Sequence, residues 1–454
     1  MLLNCLTPLV LQSLGQPGLP PEDTRFLHAP AGIGVKPAVP GPPDTKGWYG
    51  TPYANSVVTE NFGVTWEDGQ ATSEQAERAA AALEAAWAEL VEAEGWTPPV
   101  SSDTFLLWVL LVDDIGATGY TTEYSTPEYP DGYPVIYLNS TTARDEGFWT
   151  TLASHEFHHA IQYAYRDYGN GRDTESWYWE ASATWASNLV EPDTTTLDYL
   201  AASYSRGSDE AYTNTDGSHQ YGMYVFNAWL DTGVVGAGAM QNTWEEGVLR
   251  TGEPWRDILE GATGLQAGYL FSEFAAAYGN DSYWRTDTWS DPSKVRLSDG
   301  RTATGEAGEL GAVYYVALSE LDVEVVPIGV GELLVTYPSA VEVAAGRWRV
   351  PAGATVAVTA TEAGGASWTI TASAADLPTD TGDTSDTSDT SDTSESEDTA
   401  ASDKGPPRKA EGPPPDCGCA GSAGSPAAAA PLLVAVALRR RRRADPRAPS
   451  ALMR

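Results

Sequence analysis

The stretch SHEFHHAIQYAY, residues 154–165, carries three of the five histidines in a chain of 454 residues. His155, Glu156 and His159 form the pattern H-E-x-x-H. A helix turns about 100° per residue, so positions i and i+4 lie about 40° apart and both imidazoles can reach one metal ion. Glu156 then stands beside a water molecule on that ion. The opposite arc is apolar and predicts a core-facing side: Phe157, Ala160, Ile161 and Ala164.

His158 is the third histidine of the stretch, and on a helix it points about 100° away from His159. This direction predicts a place beside the ligands or at the surface, not in the metal site. Cysteine cannot complete the site, because Cys5, Cys417 and Cys419 all lie near the two ends of the chain. Any transition metal in the folded part must therefore be held by His, Asp and Glu.

The motif resembles that of the gluzincin metallopeptidases. This resemblance implies one zinc ion, held by the two histidines of the motif and by a glutamate on the next helix. In the segment ESWYWEASATWASNL, Glu180 follows His159 after 20 residues (160–179), which fits the gluzincin spacing. The small residues after Glu180 resemble the family pattern that lets two helices pack closely. Glu175 and Asp173 are rival ligands, although they precede the regular part of the predicted helix.

The same resemblance implies hydrolysis of a peptide bond, with Glu156 as the base that takes a proton from the attacking water and returns it to the leaving amine. The developing oxyanion needs one further donor. Gluzincin-like enzymes place a downstream Tyr or His there, so His219 and Tyr221, in GSHQYGMYVF, are the candidates. For each of them, a packed or solvent-facing side chain is the open alternative.

The order of predicted elements is that of an α+β fold. Thr72 and Gln75 form a capping box that starts a helix. Two strands follow, FLLWVLLV at 105–112 and YPVIYLN at 133–139, before the histidine helix. By analogy with zincins, strand 133–139 is expected to be the edge along which an extended peptide pairs. Three further helices are predicted at about 220–231, 253–262 and 265–278.

After Pro292, short alternating runs such as VYYVAL, LLVTY and TVAVTA predict a small β-sandwich. The predicted fold is therefore an α+β zincin-like metallopeptidase domain, mainly helical with a small sheet, then an all-β sandwich and a disordered tail.

The start has an apolar run but neither a positive n-region nor a cleavage site. The predicted boundaries are 1–45 for a leader or irregular arm, 46–291 for the metallopeptidase domain, 292–375 for the sandwich, 376–415 for a spacer and 416–454 for an anchor tail.

The end of the chain has the features that a surface anchor needs, in the required order. A Thr/Ser/Asp repeat from Thr379 has no apolar residue to bury and predicts a solvated spacer. Cys417 and Cys419 follow, then a small and apolar stretch at 420–438 and five arginines at 439–443. This tail resembles the C-terminal sorting signals of myxobacterial surface proteins, which implies processing or lipid attachment at a cysteine by a sorting enzyme. The alternative is a flexible Ala/Pro-rich end that carries a basic segment and has no anchoring role.

The formal net charge of −37 argues against nucleic acid and anionic membranes as partners, and suits a protein outside the cytoplasm. Asp113 and Asp114 could hold calcium, but such an adjacent pair is equally a polar strand end. Trp177, Trp179 and Trp185 are expected to pack in the core and not to form a substrate platform.

Residues 49–278 also resemble a family of secreted metalloproteases common in myxobacteria, through LEAAWAEL, ASHEFHHAIQYAY, WYWEASATWAS and HQYGMYVFNAWL. The expected function is a secreted zinc peptidase that is tethered to the cell surface or outer membrane and cleaves a protein or peptide substrate. The alternative is an inactive zincin-fold surface protein that serves adhesion, with the β-domain binding the partner. An intact Glu156 favours the enzyme, because a scaffold needs metal ligands but no base.

Overall fold

A computed structural model describes residues 46–48, 53–113, 115, 117–124, 133–141, 146–165, 176–192, 194–215, 218–232, 235–280, 289–329, 331–337, 340–375 and 434–439. The described residues up to 375 belong to one compact unit with residues 434–439. The predicted leader at 1–45 and spacer at 376–415 lie outside the described residues, as do the cysteines of the tail. Helices and sheets are both present, with helices concentrated before residue 280 and strands after residue 293.

The first sheet has the strand order β2-β3-β4-β6-β5, with the short strand β1 beside β4. The central strands β3, β4 and β6 run parallel, whereas β2 and β5 are antiparallel to their neighbours. The predicted strands 105–112 and 133–139 are confirmed as β4 and β6, and every residue of both is buried. The strands are β1 Gly47–Trp48, β2 Asn55–Val58, β3 Phe62–Trp66, β4 Phe105–Val112, β5 Gly119–Tyr124 and β6 Tyr133–Asn139.

The expectation that strand 133–139 forms the edge of this sheet is wrong. Strand β6 lies between β4 and β5, and β5 is the outermost strand on that side. Thr121 of β5 pairs with Ile136 of β6 in an antiparallel register. The sequence of β5, GYTTEY, has no run of aliphatic residues that would mark it as a strand, because an edge strand need not be buried on both faces.

Two helices pack on this sheet, and a third packs against both of them. Helix α1, Ser73–Trp87, starts at the predicted capping box, in which Thr72 and Gln75 each accept a hydrogen bond from the other's backbone N–H. Helix α2, Glu146–Gln162, contacts α1, β5, β6 and helix α3, Ser176–Val190. From residue 151 to 163 the chain is buried on every side, so the coordinating face of α2 is as enclosed as its apolar face.

Six more helices complete the helical part. The predicted helix at 220–231 is split at Met223 into two, and those at 253–262 and 265–278 are confirmed as the last two helices. The split follows Gly222, where a Cβ atom would lie only 2.7 Å from the carbonyl oxygen of Leu200. None of the described helices is long and apolar enough to cross a membrane. The six are α4 Thr195–Arg206, α5 His219–Gly222, α6 Tyr224–Thr232, α7 Ala239–Leu249, α8 Trp255–Thr263 and α9 Ala267–Gly279.

Two further sheets follow, with the orders β12-β13-β10-β15-β8 and β16-β11-β14-β9-β7. Side chains from both sheets form one apolar core that includes Val323, Val335, Val358 and Trp368. The backbone of β16 runs antiparallel along β11. The strands are β7 Lys294–Leu297, β8 Thr302–Ala307, β9 Ala312–Ala317, β10 Leu321–Ile328, β11 Glu332–Tyr337, β12 Val341–Ala344, β13 Arg347–Val350, β14 Thr355–Ala360, β15 Ala366–Ala374 and β16 Val434–Arg439.

Helix α9 joins the helical part to these strands, since it packs against β11 and β14. The hydroxyls of Ser272 and Thr336 lie 2.5 Å apart across this contact. Those of Tyr204 and Tyr314 lie 3.3 Å apart. At Gly279 a Cβ atom would lie 2.8 Å from the ring of Tyr314, so only glycine fits there without a shift. The helical and β parts therefore share a tightly packed contact.

Candidate metal site

The three predicted ligands meet at one point between α2 and α3. His155 Nε2 lies 3.1 Å from Glu180 Oε2 and 3.1 Å from His159 Nε2. His159 Nε2 lies 3.5 Å from Glu180 Oε2. Atoms that bind a zinc ion tetrahedrally at about 2.0–2.1 Å lie about 3.3 Å from one another. The three atoms are thus spaced like three corners of a zinc coordination tetrahedron, and this is the one such cluster among the described residues.

The two helices deliver these atoms through simple geometry. One turn of α2 separates His155 from His159, and their rings meet edge to face with centroids 4.7 Å apart. Glu180 lies in the first half of α3 and is fully buried. Ala181, Ser182 and Ala183 follow it and are buried against their neighbours, as expected of small residues between closely packed helices. The rivals Glu175 and Asp173 lie outside the described residues.

Hydrogen bonds on the far side of each imidazole direct both Nε2 atoms toward Glu180. His159 Nδ1 lies 2.7 Å from Gln162 Oε1, an amide oxygen that can only accept, so Nδ1 carries a proton. His155 Nδ1 lies 3.4 Å from Thr184 Oγ1, and that hydroxyl donates to the Glu180 carbonyl oxygen at 2.8 Å. The Nε2 lone pair of each ring therefore faces the Glu180 carboxylate. Three lone-pair atoms this close repel one another unless a cation lies among them.

Charge in the cluster is arranged to suit metal binding. Burial raises the pKa of Glu180, but the two imidazoles outweigh burial and hold this pKa well below its ordinary value. Burial lowers the pKa of His155. Burial also lowers the pKa of His159, but Glu180 outweighs it and leaves this pKa above its ordinary value. The carboxylate is thus ionised, and a proton or a metal ion can supply the positive charge that it needs.

Glu156 stands beside the cluster and is held from the edge strand. Thr121 Oγ1 lies 2.8 Å from the main-chain oxygen of Glu156 and 3.0 Å from its Oε2. The other carboxylate oxygen, Oε1, is buried and has no hydrogen-bond partner within the described part of the chain. Burial raises the pKa of Glu156 to about 8. A cation at the neighbouring ligands would lower this pKa and favour the carboxylate form.

Of the two candidate oxyanion donors, the structure brings Tyr221 to the site. Its ring centroid lies 5.9 Å from that of His155, and its side chain is buried. His219 instead lies with its Nδ1 3.6 Å from a carboxylate oxygen of Glu210 and its ring 6.3 Å from that of Tyr204. Burial lowers the pKa of His219 to about 4, so its imidazole is neutral near pH 7.

His158 is neither a ligand nor a surface residue. Its ring is fully buried, 4.8 Å from the ring of Trp96 and 6.2 Å from that of Trp185. Of the two predicted places, beside the ligands or at the surface, the surface is excluded, because the face of α2 that carries His158 packs against aromatic side chains. Trp177, Trp179 and Trp185 are all buried, as expected of core residues.

Three polar residues around the site were not predicted as functional: Thr121, Gln162 and Thr184. The sequence signal for Gln162 was its position three residues after His159, on a helix whose neighbours are apolar or aromatic. Thr121 and Thr184 carry no such signal. Asp113, one of the two aspartates considered for calcium, is exposed just after β4, and Asp114 lies outside the described residues.

No protein-family model matches the chain, and no curated protein matches it either.

Proposed function

We propose that this chain is a zinc-dependent peptidase. The observation that carries the proposal is the spacing of His155 Nε2, His159 Nε2 and Glu180 Oε2. The buried carboxylate of Glu156 interacts electrostatically with His159 and Glu180. Two imidazoles and one carboxylate are a donor set used by catalytic zinc sites, in which the fourth position is left for water or substrate. A purely structural zinc site is closed by four protein ligands.

Glu156 is placed to move a proton. A zinc ion held by His155, His159 and Glu180 would supply the Lewis acidity that activates a water molecule for attack on a peptide carbonyl. Oε1 of Glu156, which has no hydrogen-bond partner among the described residues, would accept the proton of that water and later pass it to the leaving amine. The Thr121 hydroxyl shares its one proton between the main-chain oxygen of Glu156 and the second carboxylate oxygen, and so favours one orientation of this carboxylate. The hydroxyl of Tyr221 is the candidate donor to the oxyanion.

Strand β5 is the favoured place for the substrate. It is the outer strand of the first sheet, and Thr121 links it directly to Glu156. An extended peptide can add to such an edge through main-chain hydrogen bonds, which bring its carbonyl groups past the base in a fixed register. We therefore propose a protein or peptide substrate that pairs with β5.

We also propose that the peptidase acts outside the cell and is tethered by its tail. This proposal rests on the sequence order of spacer, Cys417 and Cys419, apolar stretch and arginines. The backbone of Val434–Arg439 pairs with β11, and a segment paired in this way does not cross a membrane at the same time. Cell fractionation with antibodies to the residues before and after Cys417 tests the idea, because processing would separate the two signals.

The enzyme is tested by hydrolysis of casein and of a quenched peptide library, using the full chain and its Glu156→Gln variant, with zinc measured on both. We expect about one zinc ion in each protein and hydrolysis only by the wild type. Zinc binding by both with no hydrolysis would favour the alternative, an inactive surface protein that serves adhesion. Equal hydrolysis by both would exclude Glu156 as the base.

A further inference from the structure

The last residue of α2, Gln162, makes three hydrogen bonds with one buried amide. Its Oε1 lies 2.7 Å from His159 Nδ1, and its Nε2 donates to the carbonyl oxygen of Trp179 at 3.0 Å and to Ser182 Oγ at 2.9 Å. The side chain is fully buried. The amide oxygen of Gln162 thus has a partner on α2, and its NH2 group has two partners on α3.

The partners fix which way the amide points. A main-chain carbonyl oxygen only accepts hydrogen bonds, so the NH2 group of Gln162 must face Trp179. The amide oxygen then faces His159, and the proton of the neutral imidazole must lie on Nδ1. The lone pair of Nε2 is left pointing toward His155 and Glu180.

The same amide spans the gap between two ligands. Trp179 immediately precedes Glu180 and Ser182 follows it by two positions, so Gln162 is tied to α3 on both sides of the third ligand. Ser182 Oγ is itself anchored, because it donates to the carbonyl oxygen of Tyr178 at 2.7 Å. His155 has a looser partner, since Thr184 lies 3.4 Å from its Nδ1. The hydrogen bonds therefore define the position of the His159 ring better than that of the His155 ring.

We propose that Gln162 is a positioning residue for the metal site, because it sets the tautomer of His159 and holds the Nε2 atom of His159 close enough to Glu180 for both to bind one ion. This inference rests on the proposed zinc site and goes beyond it, by assigning the group that prepares the site before any ion arrives. Hydrogen-bond partners of metal-bound histidines fix ring orientation and raise ligand basicity. A residue that only tied α2 to α3 would need its NH2 group and not its oxygen.

Two variants separate these roles. Gln162→Met keeps the length of the side chain but has neither a strong acceptor nor a donor. Gln162→Glu keeps an oxygen acceptor for the Nδ1–H of His159, whether the carboxyl is protonated or ionised. The matched control is Gln220→Met, because Gln220 is also a fully buried amide, and both of its polar atoms lack a hydrogen-bond partner within the described residues.

The measurements are the zinc dissociation constant of the full chain by chelator competition, and the visible absorption of bound Co²⁺ as a report of ligand geometry. We expect Gln162→Met to weaken zinc binding by about 10- to 100-fold and to alter the Co²⁺ spectrum. Gln162→Glu and Gln220→Met should both bind zinc as the wild type does. Melting of each variant in the presence of a chelator shows whether the metal-free protein is folded.

Wild-type zinc affinity in Gln162→Met would overturn the proposal, and so would an equal loss in Gln162→Glu, which would place the effect in the donors to α3. If Gln162→Met does not fold, Gln162→Glu decides the question alone by keeping or losing zinc affinity. These results are distinct from failure of the peptidase. A wild type that binds zinc and cleaves nothing would end the proposed activity and leave the role of Gln162 intact.

Discussion

The hydroxyl of Thr121 lies 3.0 Å from a carboxylate oxygen of Glu156 and 2.8 Å from its main-chain oxygen, and so links the edge strand of the sheet to the helix of the H-E-x-x-H motif. Glycine at position 119 makes this approach possible, since a Cβ atom there would lie 3.0 Å from the other carboxylate oxygen. Glu156, the proposed base, and the strand proposed to bind substrate are thus linked by one contact.

Thr121→Val removes this hydroxyl and keeps the shape of the side chain. We expect hydrolysis to fall by about 10- to 100-fold with zinc content unchanged, because a base that loses its orientation is no longer aligned with the attacking water. Steady-state kinetics on a quenched peptide measures the effect. Thr121→Ser keeps the hydroxyl and should restore most of the activity; a Ser variant as slow as the Val variant would contradict the explanation.

Glu180 and its sequence rival Glu175 can be separated by single substitutions. Glu180→Gln should lower zinc affinity by more than about 100-fold, since even the hydrogen-bond partners of metal ligands are worth 10- to 100-fold. Glu175→Gln should bind zinc as the wild type does. Zinc titration against a chelator gives both values, and the reverse order of affinities would move the third ligand to Glu175.

Tyr221 and His219 make a second pair for comparison. Tyr221→Phe removes only the hydroxyl of a ring that lies beside His155, and we expect its kcat to fall by about 100- to 1,000-fold if that hydroxyl supports the oxyanion. His219→Gln should retain kcat, because this ring lies with Glu210 and Tyr204. Kinetics on zinc-loaded protein tests both, and a larger loss for His219→Gln would exchange the two assignments.

His158 is the opposite kind of histidine, because its two ring nitrogens are buried with no hydrogen-bond partner in the described part of the chain. Burial holds its pKa well below the ordinary value, so the ring is neutral. His158→Leu removes the unsatisfied atoms at similar volume, and we expect the free energy of unfolding to rise by about 1 kcal/mol. Thermal and urea unfolding measure this, and a fall of several kcal/mol would show that the nitrogens do meet a partner.

Much of the His155, His159 and Glu180 cluster was predictable, because the information that brings its two histidines together is local. His155 and His159 are one helical turn apart, so their convergence follows from the geometry of α2 alone. Glu180 needed a resemblance as well, because the distance between α2 and α3 is not contained in either helix. The continuous apolar run of β4 predicted a strand for the same local reason.

The contacts that orient the cluster were not predictable, because they depend on how distant elements pack. Thr121 reaches Glu156 only because β5, and not β6, is the outer strand. His158 is buried because Trp96, which lies far from it in sequence, meets its ring. Helix α4 was missed although Thr194 caps it and Leu197 and Leu200 are buried along it, because its other residues are mostly polar.

The contact between α9 and the β-strands limits how this protein can be divided. A chain ending at residue 291 would expose the buried side chain of Ala275 and leave the hydroxyls of Ser272 and Tyr204 without their partners Thr336 and Tyr314. Proteolysis between the two parts should therefore yield no stable fragment that keeps the His155, His159 and Glu180 cluster. A fusion protein that contains the β-strands alone would include only one side of the core that these strands share with α9. We therefore expect the two parts to be inherited, lost or duplicated together in evolution.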